Sequence, residues 1–303
     1  MTESNLYALA VHGGAGNDLP GEAPPGTDAE RRAALVEAVA AAAALLREGG
    51  TALDAVIRAV VLLEDCPLFN AGRGSVLAAD GAVEMDAAVM DGRTGRAGGV
   101  SCVRTVRNPV LAARAVMEGS PHALLSGTGA EGFAAGHGLA MVENAWFATP
   151  HRIRQLERAR ARGGAKGSRS TGTVGCVARD RAGDLAAATS TGGITDKAPG
   201  RVSDSSIPGA GTWARNGVCA VSCTGTGDVF IANATAREIA ALVEHRGLGL
   251  AEACAQGLGK VEAMGGHGGV IAVDAAGRLA VERNAERMAW ASVRDGEEIA
   301  CAP

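Results

Sequence analysis

Aromatic side chains are scarce: the 303 residues include four Phe, three Trp and one Tyr. So few rings provide no broad stacking platform for bases or sugars, and the interior must be filled by Ala, Val, Leu and Ile. An excess of charge is lacking as well. With 29 Lys and Arg against 33 Asp and Glu, the net charge of −4 shows no basic footprint of a nucleic-acid binder, which leaves small molecules as the expected partners. No apolar run approaches the ~18 residues of a membrane span, and Met1-Thr2-Glu3-Ser4-Asn5 has neither the basic nor the apolar stretch of a secretory signal. No membrane association and a cytoplasmic location are therefore expected. The seven Cys stand at 66, 102, 176, 219, 223, 254 and 301 without a CxxC pair, a pattern of reduced thiols rather than of a disulfide framework or a zinc site.

Common catalytic signatures are missing too. The Gly run at 12–16 completes neither GxGxxG nor GxxxxGK[ST], which argues against a nucleotide phosphate site there, and no Gly-x-Ser-x-Gly elbow is present. The six His, at 12, 122, 137, 151, 245 and 267, fall mostly in turns or polar helix ends, where solvated side chains are expected. The basic run 152–169 likewise reads as a solvated helix end and loop.

What is abundant is Gly, with 44 residues, about twice the usual share of roughly 7%. Residues 6–11 read as a buried strand ending in a tight turn at His12-Gly13-Gly14-Ala15-Gly16. Thr27 and Glu30 form a capping box before an Ala-rich helix that Gly49-Gly50 can stop, and Thr51 caps a second helix ending near Cys66-Pro67. Short β pieces are expected at 75–77, 83–89 and 100–103, helices at Pro109–Gly119 and 152–161, and a polar, Gly-rich tether at 160–170. A hairpin follows at 173–178 and 185–190. Strands at 218–223, 269–273 and 279–281 then surround helices at 228–246 and Leu250–Ala263. Strands and helices cluster instead of alternating, which predicts stacked α and β layers of an α+β fold.

The chemistry points to Thr. Gly172-Thr173-Val174-Gly175, Thr189-Ser190-Thr191-Gly192-Gly193 and Ser222-Cys223-Thr224-Gly225-Thr226-Gly227-Asp228 each place hydroxyls and Gly at a strand end. A ligand can approach the backbone closely there, and N–H groups can form an oxyanion hole. Ordinary strand or turn use of Thr explains any one of these motifs, but explains three beside a polar tether poorly. A Thr hydroxyl is a weak nucleophile unless a base adjoins it, and its own α-amine is such a base once the chain is cut before it. The Gly172–Thr173 bond is the natural place for that cut.

Together with Leu63-Glu64-Asp65-Cys66-Pro67-Leu68-Phe69-Asn70-Ala71-Gly72, Met85-Asp86-Ala87-Ala88-Val89-Met90-Asp91-Gly92 and Pro199-Gly200-Arg201-Val202, these motifs resemble the plant-type L-asparaginases, also called isoaspartyl peptidases. Those are N-terminal-nucleophile hydrolases that cleave themselves into two subunits. The likeness runs from His12 to about Trp290 in the expected order. It implies a four-layer αββα sandwich, a single domain over 1–303 cut into an α subunit 1–172 and a β subunit 173–303, and a homodimer of αβ heterodimers.

The resemblance also implies roles. Thr173, cut from Gly172, serves as nucleophile with its freed amine as base, and Thr191 orients it. The Thr224 hydroxyl and the Gly225 N–H hold the oxyanion. Arg201 takes the substrate α-carboxylate and Asp204 the α-ammonium, while Gly227 and Asn70 line the substrate site. Backbone oxygens of Leu63, Glu64, Cys66, Phe69, Ala71 and Arg73 bind a structural sodium ion, and no organic cofactor is implied. The substrates would be L-asparagine and β-aspartyl dipeptides, hydrolysed through a β-aspartyl ester on Thr173 with release of L-aspartate. Two departures lie beside the clamp: Ser203 stands where the family usually has Gly, and Ser206 where it often has Pro. Open alternatives are a glycosylasparaginase or threonine endopeptidase of the same fold, and an uncleaved amino-acid-binding protein.

Overall fold

The computed structural model describes residues 5–16, 24–163 and 172–302, so most of the tether expected at 160–170 lies outside the described residues. Strand β1 (Ala8–Gly16) is followed by α1 (Asp28–Arg47) and α2 (Ala52–Asp65). Both helix starts follow from the sequence. The Thr27 hydroxyl accepts from Glu30 N–H while the Glu30 carboxylate accepts from Thr27 N–H, and Thr51 caps Asp54 N–H. Next come β2 (Met85–Asp91), β3 (Ala97–Val103), α3 (Pro109–Gly119), β4 (Leu124–Ser126), α4 (Gly127–Gly136) and α5 (Pro150–Ala161). The second half holds β5 (Val174–Arg179), β6 (Leu185–Thr191), β7 (Thr212–Arg215), β8 (Cys219–Gly225), α6 (Gly227–Asn233), α7 (Thr235–Arg246), α8 (Leu250–Ala263), β9 (Gly268–Asp274), β10 (Leu279–Arg283), β11 (Arg287–Arg294) and β12 (Ala300–Ala302).

Among the described residues the strands form an eight-stranded sheet, in the order β12-β11-β1-β5-β6-β2-β3-β4, and a four-stranded sheet, β10-β9-β8-β7. The fold is mixed α+β. Alternate strand residues feed different cores, as the period-two geometry of a strand requires. Leu9, Val11, Val89, Cys176 and Ala188 pack with Leu35, Val56 and Leu63 of the helices. Ala8, Ala10, Val177 and Ala187 instead meet Ala220, Ile271 and Val273 of the smaller sheet. That sheet's other face, with Val221, Cys223 and Val270, packs on Phe230, Ile239 and Val261.

Four local expectations need correction. The Gly run at 12–16 does not end the first strand: β1 continues to Gly16, and its pairing with β11 slips between His12 and Ala15. A bulge absorbs the glycines while the ladder continues on both sides. The helix expected over 228–246 is two helices, because Ala234 adopts a left-handed conformation (φ 46°) between α6 and α7. Residues 75–77 form no strand, only an isolated bridge from Leu77 to Val83. Arg152 is buried rather than solvated, its Nε donating to the Gly74 carbonyl at 2.6 Å. No helix of the described residues is long and apolar enough to cross a membrane.

Candidate functional site

Thr173 stands at the mouth of β5, buried, with Gly172 before it. Its hydroxyl donates to Thr191 Oγ at 3.1 Å, and Thr191 Oγ also accepts from Gly193 N–H at 3.0 Å. The sheet register brings the two threonines together: β5 and β6 are antiparallel neighbours with Val174 opposite Ser190. The Gly172 carbonyl accepts from Asn70 N–H at 3.1 Å. That bond draws electron density from the carbonyl carbon next to the Thr173 hydroxyl, the arrangement an attack on this peptide bond needs.

Asn70 is a junction. Its amide nitrogen donates to the Gly193 carbonyl at 2.7 Å, and its amide oxygen accepts from Val76 N–H at 2.9 Å. A Cβ on Gly193 would lie 3.0 Å from Lys197 Nζ and 3.3 Å from an Arg201 nitrogen. The loop from Asn70 thus connects Thr173 to the expected clamp.

Arg201 and Asp204 converge on Gly227, where a Cβ would lie 2.6 Å from Asp204 Oδ1 and 2.9 Å from Arg201 Nη2. Only glycine leaves this corner open. Arg201 Nη2 pairs with Asp228 at 3.1 Å, a partner absent from the sequence expectation. Arg201 Nε, Ser203 Oγ and Asp204 Oδ2 are buried without a hydrogen-bond partner. Burial pushes the Asp204 carboxyl up to about 7, against the opposing pull of Arg201.

The clamp is held from below by residues that sequence reasoning passed over. Asp86 Oδ2 accepts from Ser203 N–H at 2.7 Å and its Oδ1 from Cys102 N–H at 2.8 Å. Glu84 Oε2 accepts from Gly200 N–H, and the Glu84 carbonyl from the fully buried Lys197 ammonium, both at 2.8 Å. The signal available was two acidic residues, Glu84 and Asp86, one strand period apart just ahead of the apolar stretch Ala87–Met90. At the two departures from the family pattern, Ser206 Oγ accepts from Ser101 Oγ at 2.8 Å, and Ser203 has an ordinary extended backbone with φ −91°.

Thr224 and Gly225 close the end of β8. The Thr224 hydroxyl accepts from Ala15 N–H at 3.2 Å, leaving its own proton to donate elsewhere. Gly225 must be glycine, since a Cβ there would lie 2.2 Å from the His267 carbonyl. His12 corrects the expectation of a solvated side chain: it is fully buried between Thr173 and Ser222. The buried Cys176, Cys219, Cys223 and Cys254 thiols are all pushed up by burial, which leaves hydroxyls as the nucleophiles of this interior.

In the loop 63–73, the Leu63, Glu64 and Cys66 carbonyls accept from the N–H groups of Cys66, Arg73 and Phe69 at 3.3, 2.7 and 3.4 Å. The Pro67 and Phe69 carbonyls converge on Gly74, where a Cβ would lie 2.6 and 2.7 Å from them. Each carbonyl has two lone pairs, so each can accept a further partner beyond these bonds.

Comparison with known proteins places the chain in a family. The family profile described as Asparaginase matches residues 5–301. An isoaspartyl peptidase of Salmonella typhimurium is 50% identical, covering 96% of this chain and 97% of its own length. The Escherichia coli isoaspartyl peptidase is 48% identical over 95% of this chain and 93% of its own. The human isoaspartyl peptidase/L-asparaginase is 41% identical over 95% and 94%. The chain belongs to the asparaginase family.

Proposed function

We propose that this chain is an autoprocessing amidohydrolase that acts on L-asparagine and β-aspartyl dipeptides with Thr173 as nucleophile. The observation that carries the reading is the arrangement at Gly172–Thr173: a buried threonine hydroxyl bonded to Thr191, beside a carbonyl that accepts from Asn70 N–H. In processing, Thr173 Oγ adds to the Gly172 carbonyl carbon, the peptide C–N bond breaks, and the hydroxyl proton passes to the departing amine. Water then hydrolyses the ester, leaving Gly172 as a carboxylate and Thr173 with a free α-amine. This amine takes the Thr173 proton in each later turnover.

A β-aspartyl substrate presents an α-carboxylate and an α-ammonium beside the scissile amide. Arg201 and Asp204, converging on Gly227, match these two charges, and a guanidinium suits a carboxylate through paired N–H donors. Attack by Thr173 forms a β-aspartyl ester and releases ammonia or an amino acid, with Thr224 Oγ and Gly225 N–H stabilising the oxyanion, and water then cleaves the ester to release L-aspartate and restore the Thr173 hydroxyl. Removing one such donor typically costs about 10²–10³ in rate. The names of the relatives, isoaspartyl peptidase and L-asparaginase, support the substrate class. Three stacked cores, helices on sheet, sheet on sheet and sheet on helices, support the four-layer αββα arrangement of N-terminal-nucleophile hydrolases. The loop 63–73 would hold a sodium ion through its carbonyl oxygens, fixing the Asn70 backbone.

The test is hydrolysis of a β-aspartyl dipeptide and of L-asparagine by the wild-type chain and by Thr173→Ala. Release of L-aspartate by the wild type and none by the variant is expected. Turnover by Thr173→Ala, or binding of an amino acid by an intact wild-type chain without turnover, contradicts the reading.

A further inference from the structure

The glycine-rich segment His12-Gly13-Gly14-Ala15 supplies no reacting group to the chemistry described so far, yet it lies against Gly172, Thr173 and Thr224. A Cβ on Gly14, whose φ is +110°, would lie 2.4 Å from Gly172 Cα. Ala15 N–H donates to Thr224 Oγ. His12 Nδ1 lies 2.9 Å from the carbonyl oxygen of Thr173, and its Nε2 lies 2.9 Å from Ser222 Oγ.

The proton positions follow from the partners. A carbonyl oxygen only accepts, so Nδ1 carries the ring proton and donates to Thr173. Burial holds the His12 ring far below its ordinary value, to about 3, so the ring is neutral and Nε2 is an acceptor. Ser222 therefore donates to His12, which leaves Ser222 Oγ to accept from Thr189 at 2.7 Å. Thr212 Oγ lies 2.7 Å from Thr189 and 3.0 Å from the Ser205 carbonyl. All four side chains are fully buried between the two sheets. Gly175 makes the room: a Cβ there would lie 2.0 Å from Ser222 Oγ and 2.4 Å from His12 Nε2.

We infer that His12 is a positioning residue for the nucleophile, its ring locked in the Nδ1–H tautomer by the Ser222–Thr189–Thr212 hydroxyl chain so that it fixes the backbone of Thr173. The inference rests on the reading of Thr173 as nucleophile. A neutral ring here adds no charge beside the α-amine that must accept a proton, and it anchors the residue whose own chain end becomes free after cleavage. Loss of that anchor lets the hydroxyl wander from the attack geometry, where a displacement of about 1 Å can cost on the order of 10² in rate.

The experiment compares two substitutions. In Asn the side-chain nitrogen stands one bond from Cγ, where Nδ1 stands, whereas the Gln nitrogen reaches the Nε2 position and leaves Thr173 without a donor. His12→Gln is expected to lower kcat for a β-aspartyl dipeptide by about tenfold or more with KM nearly unchanged, and to slow precursor cleavage by a similar factor. His12→Asn is expected to restore both to within a few-fold of wild type. A His12→Gln chain with wild-type kcat overturns the inference. So do Asn and Gln variants that lose activity equally and in step with thermal stability, as a purely structural residue would. If His12→Gln does not fold, Ser222→Ala gives the answer: kcat reduced by about two- to tenfold at constant KM is expected for loss of one supporting hydrogen bond, and an unchanged kcat overturns the inference. A wild-type chain that neither cleaves nor hydrolyses overturns the proposed function itself, whereas an active wild type beside an unaffected His12→Gln overturns the positioning role alone.

Discussion

Thr173 and Thr191 face each other across neighbouring antiparallel strands with their hydroxyls 3.1 Å apart. Thr191 is held by Gly193 N–H, so the acceptor of the Thr173 hydroxyl is itself fixed. Thr191→Val preserves shape and removes that acceptor. Self-cleavage of the variant, followed by the appearance of two chains on a denaturing gel, is expected to slow by about 10–10². Cleavage at the wild-type rate would remove Thr191 from the account.

Asp204 sets a pH dependence. Its carboxyl, pushed up to about 7 by burial, is a carboxylate above that pH and can hold an ammonium. As pH falls below 7 it takes up a proton and loses that partner. KM for a β-aspartyl dipeptide is therefore expected to rise toward tenfold per pH unit between 7 and 5, and the rise is expected to vanish in Asp204→Asn, whose KM is high throughout. A KM that stays flat over this window argues against Asp204 as the ammonium site.

Asp86 tests the support beneath the clamp. Both its oxygens accept backbone N–H groups, from Cys102 and Ser203, and an amide in its place turns one acceptor into a donor facing an N–H. A mismatched buried pair of this kind costs about 1–3 kcal/mol, so Asp86→Asn is expected to raise KM about tenfold or more, with kcat changed less. Steady-state kinetics on both substrates checks it. An unchanged KM would mean that the clamp does not depend on β2.

Glu64 links stability to pH. Its carboxyl is buried and pushed up to about 8, chiefly by desolvation, although Ser190 and Val110 N–H donate to it. Between the ordinary carboxylate range and about pH 8 the unfolded chain ionises while the folded chain stays protonated, so stability falls as pH rises through that window. Glu64→Gln mimics the protonated form. Its thermal midpoint is expected to gain on wild type steadily from pH 5 to pH 8, and parallel midpoints across that range would contradict the assignment.

The parts of the fold written in local chemistry were readable from the sequence. Thr27 with Glu30, and Thr51, announce helix starts because a cap is an interaction within one turn. The threonine motifs around 173, 191 and 224 stood out because ordinary strand or turn use of Thr explains one such motif but explains three together poorly. Relations between distant segments were not. The glycines at 13 and 14 look like a turn until β5 and β11 pair on both sides of β1 and convert the run into a bulge. Ala234 carries no helix-breaking signature, yet its backbone turns left-handed where α6 meets α7. His12 resembled a turn residue for the same reason: its burial depends on Ser222, 210 positions away in the chain.

The central claim is that the bond between Gly172 and Thr173 breaks by the chain's own chemistry, and the intact mass of the purified protein under denaturing conditions tests it most directly. Two chains are expected, one ending at Gly172 and one beginning at Thr173, with the uncut mass persisting in Thr173→Ala. A wild-type protein that stays a single chain of 303 residues after prolonged incubation would contradict the account.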